Sequence, residues 1–390
     1  MHRLPRFFFL TIVIALLALS CGTETGKQDI MIGEQASFYS EQLGQRINLL
    51  VSLPENYDLS EQRYPVLYAL HTNFWHNAGT VRHLGGIITP GMIYVQLETY
   101  NSGDFLPSAI ESRPGSGGAD SLIKFFEKEL IPFVNSEYRT QPFTLIHSGS
   151  WGGVFAVHAL LSRPDLFNGA IASTPWVIYD GDGRFMRDNV PQLLADNDYE
   201  HNFLYIALGN DPDPGLRDGI EYISETVSAA GKAGLRHEYR YWDFEDHFSI
   251  GHKAVHDGLR WIFRDWQRFP DDIAAGSVAG MRQYSSGLTD TYGYDIGINP
   301  RALYRVGMGH IRDERYAQAI AAFKYGISLD SGWPVLYSGL GRAYEAAGDP
   351  DSALVYFRQA YDRASEISFP DLARFQDRIT RLEHQLDAQR

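Results

Sequence analysis

The chain has 390 residues, 44% of them apolar and 13% aromatic. That is enough to bury a full-sized core and hold more than one domain, which excludes a disordered or fibrous class. With 48 acidic against 34 basic side chains the formal charge is −14, so the surface repels phosphate backbones and anionic lipid, and nucleic acid is not an expected partner.

The first twenty residues carry His2, Arg3 and Arg6, an apolar run from Phe7 to Ala18, and then Leu19-Ser20-Cys21-Gly22. This is the layout of an export signal, and its apolar part is short for a membrane span. Cys21 is the only cysteine in the chain, so no disulfide framework exists. Its position resembles a bacterial lipobox, although Ala18 and Leu19 invert the usual large-then-small order. The resemblance implies removal of residues 1–20, lipidation of Cys21 and an exported protein held at the cell envelope, on the periplasmic face or outer membrane, by its lipid alone. Residues 21–35 read as a tether, since "GTETGKQDI" is polar and rich in breakers.

From Gln45 short β-branched and aromatic runs bounded by turn residues predict strands: "RINLLVSLP", "YPVLYALH", "MIYVQLE", "FTLIHS", "GAIAS", "FLYIAL" and "HEYRYW". Between them "ADSLIKFFEKELIPFVNSEY", "GGVFAVHALLSR", "GIEYISETVSAAGKAG" and "HKAVHDGLRWIFRDWQRF" carry helical periodicity. Strand alternating with helix over 36–270 predicts an α/β domain with a mostly parallel, doubly wound sheet covered on both faces. Ligands in such sheets sit at the carboxyl ends of the strands.

Residues 271–298, rich in Gly, Ser, Asp and Tyr, read as a linker. From 299 to 390 the periodicity is purely helical, and Leu303, Gly307, Ala319 and Phe323 match Tyr337, Gly341, Ala353 and Phe357 at a constant offset of 34 residues. Small residues where helices cross and large ones in the gaps, at that spacing, form the tetratricopeptide pattern. A small all-α repeat domain is expected, closed by a capping helix and open to a protein or peptide partner.

The catalytic signal lies in "HSGSWGGVFAVHALL", where Ser150 falls in a strand-to-helix turn. The hydrolase elbow is written G-x-S-x-G because residues two before and two after the serine nearly touch. Here Ser148 replaces the first glycine, while Gly152 and Gly153 stand on the helix side.

A serine hydroxyl needs a base within hydrogen-bonding reach and a third group that fixes the base's tautomer, in the chain order Ser, acid, His. After "FLYIAL" comes Gly209-Asn210-Asp211-Pro212-Asp213, and after "HEYRYW" comes Asp243-Phe244-Glu245-Asp246-His247. His247, on the loop before the last helix of the domain, is the expected base. Asp211, nearest the strand end, is the expected acid, with Asp213 as the alternative, and Asp246 reads as a loop-shaping residue. The oxyanion hole is expected from the backbone N–H of Trp151 and from the loop after "YPVLYALH", where Thr72 is the candidate.

"LPENYDLSEQRYPVLYALH", "GDFLP", the long block from "GGADSLIKFF" to "AIASTP", and "DHFSI" resemble the "putative esterase" family of α/β hydrolases, a group that includes esterase D, feruloyl, acetyl xylan and siderophore esterases. The resemblance spans roughly 37–268 and implies that Ser150 is the nucleophile and His247 the base of a serine esterase acting on a small acyl or aryl ester. "QYSSGLTDTYGYDI" further resembles bacterial esterases with a tetratricopeptide tail. The chain departs from the family at Ser148-Gly149, where Gly-His is usual, at Thr72, where Gly is frequent, and near Asp104, where an arginine is often found.

No cofactor or metal is expected: His252 and His256 share a helix face and His71 and His76 flank an aromatic loop, but no H-E-x-x-H supplies a zinc set. Tyr100, Phe105, Trp151, Trp176, Tyr179 and Phe185 fall in loops expected at the strand ends, and "WVIYDGDGRFMRDNVPQLL" reads as a lid and specificity segment. The altered elbow keeps a second class open: a lipid-anchored interaction protein with a weakly active or inactive hydrolase fold and peptide-binding repeats.

Overall fold

A computed structural model describes residues 31–55, 57–59, 61–70, 72–211, 213–267, 277–367, 369 and 372–389. The expected export signal, Cys21 and His71 lie outside the described residues.

Strands β1 (Glu34–Ser40), β2 (Gln45–Ser52), β3 (Tyr64–Leu70), β4 (Ile93–Leu97), β5 (Thr140–Gly149), β6 (Gly169–Ser173), β7 (Asn202–Gly209) and β8 (Leu235–Trp242) form one sheet in the order β1-β2-β4-β3-β5-β6-β7-β8. β1 pairs antiparallel with β2 and β2 with β4, and the remaining pairs are parallel. Helices α1 (Phe74–Leu84), α2 (Ala119–Phe125), α3 (Ile131–Glu137), α4 (Ser150–Ser162), α5 (Arg184–Asp196), α6 (Pro214–Ala230), α7 (Ile250–Ile262) and α8 (Arg264–Gln267) connect or follow the strands, with a π-helical turn at Phe126–Leu130 joining α2 to α3.

The sheet is buried on both faces because its central strands alternate two apolar sets. Val66, Tyr68, Leu70, Ile146, Leu204 and Ile206 pack one way with α4 and α6, and Leu67, Ala69, Leu145, Phe203 and Tyr205 pack the other way with α1 and α7. This is the expected α/β hydrolase-like architecture.

Two local differences from the sequence reading appear. β1 begins at Glu34, inside the expected tether, because its pairing with β2 supplies a ladder that its composition does not advertise. Within the expected linker lies a fifteen-residue helix, α9 (Val278–Tyr292), N-capped by Ser277 and ended by Gly293 at φ 74°. It forms because Tyr292 and Tyr294 bury against Phe143, Phe203 and Phe263 of the hydrolase core. Tertiary packing there overrides the turn-rich composition.

Beyond it follow α10 (Pro300–Arg312), α11 (Tyr316–Leu329), α12 (Pro334–Ala346), α13 (Pro350–Glu366) and α14 (Leu372–Gln389). The expected small residues sit at close crossings: a Cβ on Gly307 would lie 2.6 Å from the Phe323 ring, and one on Gly341 2.7 Å from Phe357. The tail is tied to the rest of the unit, for Asn299 Nδ2 donates to the Ile87 carbonyl and Trp266 Nε1 to that of Gly297. Among the described residues no helix is long and apolar enough to cross a membrane.

Candidate active site

β5 ends at Gly149 and α4 begins at Ser150, whose φ of 54° is in the left-handed region that side chains other than glycine rarely adopt. Such a backbone is held only where its surroundings fix it, and it lifts the serine off the strand end. A Cβ on Gly152 would fall 1.9 Å from Ser148 Oγ, and one on Gly153 3.0 Å from the Pro175 Cα. Glycine is therefore required on the helix side of the turn.

Ser148, in the place of the usual glycine, is fully buried, and its hydroxyl donates to the Leu70 carbonyl at 2.6 Å. The departure is thus paid with a hydrogen bond that pins the elbow to the end of β3. Neighbouring His147 is also fully buried and donates through Nδ1 to the Ile171 carbonyl, 2.9 Å away. Burial pushes its imidazole down to about 4, so it stays neutral beside the elbow.

At the end of β7, Asp211 Oδ2 meets His247 Nδ1 at 3.1 Å, with the carboxylate side chain 8% and the imidazole 22% exposed. The other carboxylate oxygen, Oδ1, accepts from the Asp213 N–H at 3.0 Å, which fixes its orientation. Asp213 is occupied elsewhere, capping α6 by accepting from the Gly215 N–H. Asp246 accepts from the N–H groups of Phe248 and Ser249, both at 2.8 Å, and these bonds hold its carboxyl below the usual range. Those two bonds shape the loop that carries His247. Trp176 packs its ring edge-on to the His247 imidazole, centroids 5.7 Å apart.

Ser150, His247 and Thr72 line one cleft of about 660 Å³ together with Asn73, His76, Gln96, Glu98, Tyr100, Phe248 and His252. Trp151 N–H lies in the first turn of α4, where helical N–H groups have no intrahelical acceptor. Its ring is covered by the Arg113 guanidinium at 3.8 Å. Thr72 is held from two sides: Gln96 Nε2 donates to its carbonyl at 3.2 Å, and its hydroxyl donates to Gln96 Oε1 at 3.0 Å. Tyr94 adds a third bond to the same Gln96 oxygen, also 3.0 Å.

Gln96 is absent from the residues expected from the sequence, although "MIYVQLE" carries a signal: an amide in a buried, mostly apolar strand must have partners. For His76 and His252 the sequence suggests only a metal-ligand role. Their rings meet edge to face at 6.3 Å on the cleft wall, and among the described residues no group of three His, Cys, Asp or Glu is placed to hold a metal.

The expected lid differs most from expectation. Of "WVIYDGDGRFMRDNVPQLL" only Trp176 reaches the histidine, whereas Val177, Tyr179, Met186 and Val190 are core residues. Tyr179 is fastened through its hydroxyl to Ser108 Oγ at 2.9 Å. The amphipathic helix α5 buries the apolar side of the segment, so little of it is free to cover the cleft. Phe105 is likewise fully buried.

Residues 40–262 match the family model described as "Putative esterase". The chain belongs to that family. It is 27% identical over 225 residues to the ferri-bacillibactin esterase BesA of Bacillus subtilis (strain 168), a stretch covering 50% of this chain and 78% of that one. The IroE-like serine hydrolase of Shewanella oneidensis has the same fold, with a TM-score of 0.66 at 23% identity over 76% of this chain and 99% of that one. An uncharacterised protein from Capnocytophaga ochracea matches at TM-score 0.59 and 17% identity over 90% of this chain and 99% of its own. That span is too long for the sheet domain alone, so the helical tail takes part in the shared fold.

Proposed function

We propose that the chain is a serine carboxyl-ester hydrolase of the siderophore-esterase type, acting on a small acyl or aryl ester. The observation that carries this reading is the Asp211–His247 hydrogen bond at the cleft that Ser150 also lines.

In the proposed reaction Ser150 Oγ attacks the ester carbonyl while His247 Nε2 takes its proton, and Asp211 holds the other ring nitrogen in the tautomer this requires. The oxyanion is stabilised by the Trp151 N–H and by the loop at Thr72, each such donor contributing about 3 kcal/mol. The alcohol leaves with the proton from His247, and water, deprotonated by the same imidazole, releases the acid from Ser150.

The siderophore class rests on the name of the ferri-bacillibactin relative. The exposed Phe248 ring on the cleft wall, 92% accessible, favours a substrate with aryl groups. In this reading Cys21 carries the lipid that holds the exported protein at the envelope, and the tail is a pair of tetratricopeptide-like units with a capping helix.

The test is a panel of catecholate and hydroxamate siderophore esters, feruloyl esters and short-chain aryl esters given to the purified protein. Turnover of at least one class, lost in Ser150→Ala, is expected. A folded protein inert on all of them would contradict the assignment.

A further inference from the structure

A second cavity, of about 940 Å³, is of a size common for small-molecule sites, and the esterase reading leaves it unused. Tyr64, which opens β3, lines this cavity, whereas Thr72, just past the end of that seven-residue strand, lines the catalytic cleft. A strand of that length spans roughly 23 Å, so the two are separate sites. Hydrogen bonds across the walls frame the second one: Gln62 Nε2 donates to the Leu329 carbonyl, and Trp266 Nε1 to that of Gly297 at 3.1 Å.

The charged lining is balanced, with Arg63, Arg82 and Arg301 set among Glu55, Asp295 and Asp330. Arg301, in the first turn of α10, and Asp330, just past the end of α11, are both half-buried. Each feels the other's charge, yet no ion pair joins Arg301 to a carboxylate among the described residues. Burial lowers the Arg301 guanidinium and raises the Asp330 carboxyl from their ordinary ranges. Opposite charges that are partly desolvated but stop short of contact forgo the attraction that would offset their burial. The guanidinium lies instead over the Trp333 ring, 4.9 Å from its centroid. Tyr294, another lining residue, is 6% exposed, and its hydroxyl has no hydrogen-bond partner among the described residues. Three polar groups of one cavity are thus left short of partners, which native interiors rarely tolerate without a purpose.

We propose that this cavity binds a small zwitterion bearing an aromatic ring, of the aromatic amino-acid class. Its carboxylate meets the Arg301 fork and its ammonium the Asp330 carboxylate, so each half-buried charge gains the partner it lacks. Its ring lies among Trp333, Tyr64 and Phe369, which line the same cavity. The balanced wall selects for both charges on one ligand, because a plain anion meets three carboxylates and a plain cation three guanidinium groups.

The test is calorimetric titration of the full chain in mild detergent with L-phenylalanine. The controls 3-phenylpropanoate and 2-phenylethylamine each lack one of the two charges. Saturable binding of L-phenylalanine at one site is expected, weakened more than about tenfold for either control and in Arg301→Gln or Asp330→Asn. The two variants should keep the thermal midpoint and the reaction of Ser150 with a fluorophosphonate, and binding should survive that reaction in the wild-type protein. If a variant fails to fold, the two control compounds decide. Absence of saturable binding, equal binding of either control, unchanged affinity in the folded variants, or loss of binding once Ser150 is modified would each overturn the proposal.

Discussion

The hydroxyl of Ser148 donates to the Leu70 carbonyl at 2.6 Å, and a methyl group on Gly152 would lie 1.9 Å from that same hydroxyl oxygen. The two small residues that flank the nucleophile turn therefore share one volume. Gly152→Ala should collapse the elbow, lowering the thermal midpoint and activity together. Restoring the usual glycine with Ser148→Gly in that background should recover part of both, giving a coupling of roughly 1–3 kcal/mol in a double-mutant cycle. Strict additivity would show that the two residues do not compete.

Asp211 and Asp213 lie two residues apart but do different work. Asp211→Asn should leave the fold intact and reduce kcat by about 10³- to 10⁴-fold, because an amide favours the wrong imidazole tautomer. Asp213→Asn should leave kcat within a few-fold and lower stability by no more than about 1 kcal/mol through its cap on α6. Steady-state kinetics and urea midpoints on the two variants separate these roles, and a reversed pattern would reassign the acid.

Gln96, on the cleft wall, grips the Thr72 peptide. Gln96→Met keeps the volume but frees that loop, so kcat should fall by about 10- to 100-fold with KM nearly unchanged, the pattern of a lost transition-state donor. A rise in KM alone would mean that Gln96 acts on substrate binding.

Buried His147 contributes a pH dependence of definite sign. Its imidazole is pushed down to about 4 from the ordinary 6.5, so below pH 6.5 the unfolded chain binds a proton that the folded one resists. Stability from this group is full above about 6.5 and is lost as pH falls toward about 4, by roughly 3 kcal/mol. Burial of His158 and His237 adds loss of the same sign. His147→Gln should flatten the fall in urea midpoint between about pH 7 and pH 4.5, and an unchanged slope would contradict the assignment.

The alternation of strand and helix was legible because the sheet is buried on both faces, which writes its strands as apolar runs. The strand-to-helix turn at Ser150 and the meeting of Asp211 with His247 were legible because each residue follows a strand end. Gln96 and Tyr94 escaped, since their role depends on which strand lies beside β3, and the order β2-β4-β3-β5 is not written locally. α9 escaped for a related reason: Tyr292 is buried by rings from distant segments, and local composition points to a turn.

The central claim is that Ser150 is made nucleophilic by His247. Incubation with a fluorophosphonate followed by peptide mass mapping tests it directly. The account predicts stoichiometric modification on the peptide containing Ser150, absent in Ser150→Ala and slowed by orders of magnitude in folded His247→Ala. Modification that persists in Ser150→Ala, or a folded wild-type protein that takes up no probe, would contradict it.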